Sequence, residues 1–301
     1  NGARIPSPEP ERKVVPLDLF PANLLEAITT TKTFTPDQPG DFSGAQVDLR
    51  TREFPARRTW TMSLSTGVNT AVTGRDVPEA ATVGPEWLGF AGAARELPSA
   101  VRDAGGLSGL TETQVSGLIG QFRNSWSERA GSGAPNASFG LSVGGEDPVL
   151  GLRVGYVGSL TYSRSLEIRR GEERTTPQQG ASPGTALPYN RYGGESVTAG
   201  VLWGGLLNLT ARLGATSKLS LNNTFTRNGD NGVTRVAGLN GEFASNFDIT
   251  RLAFVERSVR SNQVEGQHLL GPRHLVEWSV TSAAARRNEP DRSDIIYTAA
   301  I

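Results

Sequence analysis

Residue types that form crosslinks or carry chemistry are absent or balanced in this chain of 301 residues. There is no cysteine, which excludes disulfide scaffolds, thiolate metal sites and cysteine nucleophiles. Basic and acidic side chains number 30 each, so the formal charge is zero and no broad attraction to nucleic acid is expected. No apolar run approaches the roughly 18 residues that a membrane-spanning helix needs.

Familiar catalytic motifs are missing as well. The chain contains no Gly-x-Ser-x-Gly, Walker or dinucleotide-binding fingerprint. Residues 151–158 are rich in glycine but have the pattern of a strand, and no helix follows that would hold a phosphate. We therefore predict that the chain is not an enzyme and uses no cofactor.

Metal binding is not predicted either, although two segments suggest it at first sight. His268 and His274 are the only histidines, and they flank a Gly-Pro turn without an evident third ligand. Residues 228–232, Asn-Gly-Asp-Asn-Gly, lack the downstream glutamate of a calcium loop. We interpret this second segment as a plain turn.

Glycine is abundant, with 36 residues against 37% hydrophobic residues, which is poor for a packed α/β core. From residue 59 the apolar residues recur with a period of two, as in half-buried strands. The predicted strands lie near residues 59–67, 138–144, 152–163, 196–209, 218–226, 251–264 and 276–281. A soluble β-sandwich also alternates in this way.

Two further features favour a membrane barrel over a sandwich. The polar faces carry serine, threonine, glycine and asparagine rather than the lysine and glutamate of a water-exposed sheet. Long connections of about 65, 27 and 23 residues alternate with short ones, as outer loops alternate with periplasmic turns in outer-membrane barrels. Within the first long connection, a capping box at Thr111-Glu-Thr-Gln114 predicts a helix over 111–126. We interpret this helix as an external lid element, the alternative being a core helix of a soluble domain.

The amino-terminal region has a different pattern. Residues 1–16 hold four prolines and predict an extended connector. A short helix over 21–28, a strand over 29–35, a turn at 36–40 and a strand over 46–51 follow. The apolar surface of this unit is too small for it to fold alone, so it is expected to pack on something larger.

This region resembles the closing section of the plug domain in TonB-dependent outer-membrane receptors. The matching motifs are Ile28-Thr-Thr-Thr-Lys32, Pro36-Asp-Gln-Pro-Gly40 and Gly44-Ala-Gln-Val47, where Ala45 departs from the second glycine of the family pattern. Downstream, Glu86-Trp-Leu-Gly-Phe90 with Arg95-Glu-Leu-Pro98 is similar to the family's first outer loop, and Arg287-Asn-Glu-Pro-Asp291 to its strand-end motif.

The resemblance implies a mainly β fold. Residues 1–56 would be the C-terminal part of a small αβ plug domain. Residues 57–301 would be the first strands of a transmembrane antiparallel β-barrel, partial and unclosed, with about seven or eight strands. Because family barrels have 22 strands, the chain is expected to be an internal fragment that lacks the first half of the plug, the TonB-contacting segment and the remaining strands.

The implied function is energised uptake of a scarce nutrient across the outer membrane of a Gram-negative bacterium. TonB, driven through ExbB and ExbD, would pull on the plug, and membrane lipid would surround the barrel. Whether a surface lipoprotein caps the barrel stays open. The plug segment 32–44 would line the route, and loops 70–135, 169–195 and 228–250 would meet the substrate. The substrate class stays open among iron chelates, vitamins, glycans and peptides, and no contact residue is singled out.

Charged residues gather before residue 59. Three aspartates flank turn prolines and glycines, where aspartate commonly caps a turn: Asp37, Asp41 and Asp48. Six arginines cluster around the junction: Arg4, Arg12, Arg50, Arg52, Arg57 and Arg58. They either pair with carboxylates of the barrel wall or lie at the periplasmic face.

Two other functional classes remain open. A passive outer-membrane pore or adhesin would lack a plug inside the barrel. A secreted soluble β-sandwich that binds a ligand would cover its apolar stripes with a second sheet.

Overall fold

A computed structural model describes residues 2, 4–9, 17–20, 22–35, 44–51, 55, 57–106, 108–180 and 185–300. The chain is mainly β, with 64% of residues in strands and 9% in helices, which confirms the predicted class. No helix in the described part has the length and apolarity to cross a bilayer.

The described residues form twelve strands and two α-helices. The strands are β1 (Leu25–Thr31), β2 (Gln46–Thr51), β3 (Thr59–Gly67), β4 (Asp76–Glu79), β5 (Arg129–Ser132), β6 (Asn136–Val149), β7 (Leu152–Gln179), β8 (Ala186–Leu213), β9 (Ser217–Asn240), β10 (Ser245–Leu270), β11 (His274–Asn288) and β12 (Ser293–Ala300). The helices are α1 (Ser99–Asp103) and α2 (Glu112–Ile119), with 3-10 turns at Leu17–Leu19, Ala22–Leu24, Gly84–Leu88 and Ala93–Arg95.

One large antiparallel sheet dominates the fold, in the order β11-β10-β9-β8-β7-β6-β3. Strand β12 also pairs with β10, beginning at Ser293 opposite Leu252, whereas β11 ends at Asn288 opposite Glu256. The two therefore act as one edge strand with a break at residues 289–292. In the described part β3 and this broken strand are the two edges. The seven predicted strands all occur, in one open sheet.

Two of the three predicted long loops are wrong. The segments 169–195 and 228–250 belong largely to paired strands, because β7 and β8 have 28 residues each, β9 has 24 and β10 has 26. At roughly 3.3 Å per residue, β7 is about 90 Å long. In the outer halves of these strands apolar residues no longer alternate regularly with polar ones, but the backbone hydrogen bonds between the strands continue. Of the three, only the first connection, residues 68–135, is long.

The pairing register gives the large sheet two distinct faces. One hydrogen-bonded row joins Leu64, Phe139, Tyr162, Trp203, Arg227, Ser258 and Arg286, and we call its side the aromatic face. The next row joins Ser63, Gly140, Thr161, Gly204, Thr226, Val259 and Ala285, and defines the small-residue face. The separate predicted stripes are thereby joined into two continuous surfaces.

The described residues between positions 2 and 51, which we call the amino-terminal piece, pack on the small-residue face. Leu24 is 1% exposed and forms a cluster with Val157 and Leu206. Leu19 and Phe20 pack on Val259. The predicted packing of this piece on a larger sheet is confirmed.

The local structure of this piece differs from the prediction. Residues 22–24 form a single 3-10 turn, and a strand begins at Leu25 where a helix over 21–28 was predicted. Leu24 is buried while Ile28 is 51% exposed, so these leucine and isoleucine side chains share no buried helical face. Strand β2 confirms the predicted strand over 46–51. The predicted turn at 36–40 lies outside the described residues.

We expect Leu24→Ala to lower the free energy of unfolding by about 2–5 kcal/mol, because it leaves a cavity against Val157 and Leu206. Urea denaturation followed by tryptophan fluorescence measures this. Ile28→Ala is the matched control, since Ile28 is exposed. Equal losses for the two variants would contradict the packing described here.

Candidate functional site

Both faces of the large sheet carry polar contacts to other parts of the chain. On the small-residue face, Glu9 of the amino-terminal piece lies between two arginines of the large sheet, Arg257 and Arg287. Its Oε1 accepts a hydrogen bond from Arg257 Nε at 2.7 Å, and its Oε2 is 3.6 Å from Arg287 Nε. Arg257 also donates to Asp230 Oδ2 at 2.8 Å. One carboxylate thus connects the amino-terminal piece to β10 and β11.

A second polar contact lies near the end of this piece. Asn208 Nδ2 donates to Thr51 Oγ1 at 3.0 Å. Together with the packing of Leu19, Phe20 and Leu24, these contacts hold the amino-terminal piece against the large sheet.

Residues 68–128, which we call the excursion, pack on the other side of the sheet. Val72 and Val77 form a cluster with Leu166 and Val197, and Ala80 packs on Val233 and Leu252. Leu166, Val197, Val233 and Leu252 belong to the aromatic face by register. The excursion therefore covers the half of this face remote from the short turns.

The excursion contacts the large sheet closely at a pair of glycines. A Cβ on Gly229 would lie 2.5 Å from the Cα of Gly89, so the backbones meet where neither residue has a side chain. Gly89 also has a φ of 71°, which favours glycine. Nearby, Trp203 Nε1 donates to Leu88 O at 2.9 Å and Tyr162 Oη to Trp87 O at 2.9 Å.

Arg227 fixes the following segment of the excursion. Its guanidinium lies 3.7 Å from the ring centroid of Phe90, and its Nε donates to Gly89 O at 3.0 Å. Arg227 Nη2 donates to Glu256 Oε2 at 2.7 Å, and the same oxygen accepts a hydrogen bond from Ala91 N at 3.1 Å. A single arginine thus combines ring stacking, a carbonyl contact and an ion pair.

A buried ion network anchors the excursion to the break between β11 and β12. Arg95 is 3% exposed; its Nε lies 2.5 Å from Glu86 Oε1, and its Nη1 lies 3.4 Å from Asp291 Oδ2. Arg123 Nε donates to the same Asp291 oxygen at 2.8 Å. Asp291 has a φ of 59°, which marks the strand break as a formed turn. The segments 86–90, 95–98 and 287–291, noted separately in the sequence, meet here.

An open depression of about 350 Å³ lies beyond the excursion, between the outer halves of β7, β8 and β9. Gly193, Gly194, Arg170, Glu195 and Arg235 are among the residues that line it. Arg170 and Arg235 both approach Glu195, at 3.5 and 3.8 Å. Glu195, Arg235 and Arg170 share the aromatic face by register, so the depression is on the side opposite the amino-terminal piece.

Glu128, at the end of the excursion, binds Arg235. Burial alone would raise the pKa of Glu128, but the hydrogen bond and charge of Arg235 outweigh burial and hold the pKa below its ordinary value of 4.5. A depressed carboxyl pKa stabilises the folded state above the ordinary pKa, and this stabilisation is lost as the pH falls through the folded value.

The remaining predicted candidates are dispersed. His268 Nε2 accepts from Trp278 Nε1 at 3.1 Å, and its Nδ1 faces Ser217 Oγ at 3.0 Å. Among the described residues, no group of three histidine or carboxylate side chains could hold a metal ion. The predicted turn at 228–232 is wrong, since these residues lie within β9.

Strand parity explains the roles of residues 228–232. Asn228 and Asp230 contact Arg257 on the small-residue face, whereas Asn231 Nδ2 contacts Glu86 Oε2 on the aromatic face at 3.3 Å. The sequence analysis missed Glu9, Arg257 and Asp230 as a cluster. Their common face could have been found by extending the two-residue period through the polar half of β9 and β10.

The charged residues of the amino-terminal region also separate. Asp37, Asp41, Arg12 and Arg52 lie outside the described residues. Asp48 accepts from Gly2 N at 3.2 Å and lies 3.6 Å from Arg50. Arg58 pairs with Asp147 at 2.7 Å, near the short turns.

The predicted lid helix is confirmed in part. Helix α2 begins after Thr111, whose hydroxyl and Gln114 form the predicted capping box. The helix ends at Ile119 and has no buried residue, and Ile119 is 58% exposed. Val115 and Leu118 are half-buried whereas Phe122 and Trp126 are exposed, so the predicted packed face is covered only in part.

Comparison with known proteins finds no family model, no curated protein and no solved structure that matches this chain. The relation to TonB-dependent receptors stays a prediction.

We expect Glu86→Gln to destabilise the protein by about 3–5 kcal/mol, because it leaves Arg95 buried without its nearest counter-charge. Urea denaturation measures the loss, and proteolysis should cut within residues 84–126. Glu96→Gln is the matched control: its pair with Arg102 is exposed at 3.8 Å, and such pairs contribute only about 0–1 kcal/mol. A negligible effect of Glu86→Gln would contradict the anchoring role.

The stability difference between the wild type and Glu128→Gln should depend on pH. It should be present at pH 7 and be lost as the pH falls from 4.5 through the lower pKa of the folded state, because Glu128 then takes up a proton and loses its charge. Urea midpoints across a pH series measure it. A difference that persists at strongly acidic pH would show that the Arg235 contact is not the cause.

Proposed function

We propose that this chain is part of a plugged outer-membrane β-barrel, and that it works as a TonB-dependent receptor for a scarce nutrient. The observation that carries the proposal is an uncovered apolar band on the aromatic face, with the amino-terminal piece packed on the opposite face. A water-soluble protein would leave few such side chains in contact with solvent.

The band lies in the half of the sheet next to the short turns. Its members include Trp60, Leu64, Leu160, Leu207 and Val280, which are 75%, 78%, 47%, 48% and 65% exposed. On β7 it extends from Leu152 to Tyr162, close to the 9–11 residues with which a tilted strand crosses a bilayer. The described residues include no second large sheet that covers it.

The band also slants across the strands. Met62 is in the middle of the band on β3. When its pairing partners are followed from strand to strand across the sheet, the partner on β11 is Ala284. The middle of the band on β11 is Trp278, six residues closer to the turn (284 minus 278). Six residues at roughly 3.3 Å, over six strand spacings at roughly 4.8 Å, correspond to an angle of about 35°.

This angle supports a membrane barrel. In transmembrane barrels the strands tilt by about 35–45° against the axis, so a band parallel to the membrane must cross successive strands at shifted registers. A face buried in a sandwich has no corresponding reason to slant. The soluble alternative is therefore less well supported than the barrel.

The amino-terminal piece supports a plug rather than an open pore. It lies on the small-residue face, which becomes the interior if the aromatic face contacts lipid. Among the described residues it is attached by two apolar clusters, one around Leu24 and one around Leu19 and Phe20, and by the polar contacts of Glu9 and Thr51. Such a piece can be displaced by pulling, which is the event that energised uptake requires.

Site-directed spin labelling tests the orientation of the sheet, and the absence of native cysteine makes single labels clean. In liposomes, nitroxides at Leu64→Cys and Val280→Cys should be relaxed by oxygen and protected from a water-soluble nickel chelate. The adjacent positions Ser65→Cys and Thr281→Cys, on the small-residue face, are the matched controls. Equal nickel access at all four positions would refute the membrane assignment.

A further inference from the structure

Three arginines lie on the aromatic face just beyond the apolar band, on the side remote from the short turns. They are Arg164 on β7, Arg260 on β10 and Arg286 on β11, and all three are exposed. None of them makes an ion pair or hydrogen bond with a residue that the structure describes. On the turn side of the band, by contrast, Arg58 is paired with Asp147 and Tyr156 donates to the same carboxylate.

Arg260 and Arg286 form a close pair. Arg260 is opposite Ala284 in the register, which places Arg286 diagonally beside it on the neighbouring strand. Diagonal neighbours have Cβ atoms about 7–8 Å apart or somewhat less, within reach of long side chains. Like charges at this spacing repel, so the pair is unfavourable without an anion.

The surroundings of the pair supply further donors but no acid. Ser258 is opposite Arg286, and Asn262 is opposite Ser282, all on the same face. The closest carboxylate on this face of β10, Glu256, is held by Arg227, Ala91 and Asn288. Two guanidinium groups with hydroxyl and amide donors can surround one tetrahedral anion.

We infer that Arg260 and Arg286 bind the phosphomonoester headgroup of a membrane lipid, in the leaflet remote from the short turns. The inference rests on the proposed membrane orientation, because the pair lies where headgroups begin if the apolar band is in the acyl region. A phosphomonoester carries close to two negative charges at neutral pH and matches the pair in charge. Guanidinium groups also bind phosphate oxygens in bidentate geometry.

The test is native mass spectrometry of the full chain in detergent micelles, titrated with short-chain phosphatidic acid, phosphatidylglycerol or inorganic phosphate. The wild type should bind phosphatidic acid, a phosphomonoester, in preference to phosphatidylglycerol, a phosphodiester. Arg260→Gln combined with Arg286→Gln should weaken phosphatidic acid binding by roughly tenfold or more, as expected for the loss of two interfacial cations. Arg260→Lys with Arg286→Lys should retain part of the affinity.

Arg212→Gln combined with Arg273→Gln removes the same net charge near the turns and should leave the preference intact. Equal weakening by the two double variants would overturn the inference, as would unchanged binding in Arg260→Gln with Arg286→Gln. Inorganic phosphate bound as tightly as the lipid would overturn the lipid assignment. If the spin labels at Leu64 and Val280 insert but the lipid preference is absent, this inference fails alone; if they do not insert, the proposed function fails.

Discussion

The two-residue period, kept in register across seven strands, is the constraint on which the rest of the structure depends. Because Leu64, Tyr162 and Trp203 share one row and Ser63, Thr161 and Gly204 the next, a shift of one residue in any pairing would mix the two surfaces. The two faces then take different covers: the amino-terminal piece on small side chains, and the excursion on the remote half of the aromatic face. The part left uncovered is the apolar band.

The two covers are attached by different physical means. The described part of the amino-terminal piece packs through apolar side chains that include Leu19, Phe20 and Leu24, and its Glu9 lies half-buried between Arg257 and Arg287. The excursion is anchored by the deeply buried Arg95 and by backbone contact at Gly89. Water screens the attraction between half-buried charges more than the attraction between fully buried ones. The ion pairs that hold the two covers to the sheet therefore differ in burial.

Much of the fold could be predicted from the sequence, because alternation is a local property. The seven strands and the two faces followed from residues such as Trp60, Met62 and Leu64, and the α2 capping box from four adjacent residues. The outer halves of β7 to β10 could not be found this way, since their apolar period fades where backbone pairing alone continues. The Glu9–Arg257 contact joins residues 248 positions apart, and no local pattern encodes it. The short helix predicted over 21–28 failed because burial of Leu24 on the wall outweighed helical spacing.

The contact between Gly89 and Gly229 has a consequence for how the protein tolerates sequence change. A Cβ on Gly229 would lie 2.5 Å from the Cα of Gly89, so a methyl group has no room at position 229. At position 89 the new Cβ would lie 3.2 Å from Gly229 N, and the φ of 71° would strain any residue other than glycine. A methyl group at position 229 would have to push the excursion away from β9. The contacts of Arg227 with the Phe90 ring and with the Gly89 carbonyl would then both lengthen. The contact between these two glycines thus sets how closely the excursion can approach β9.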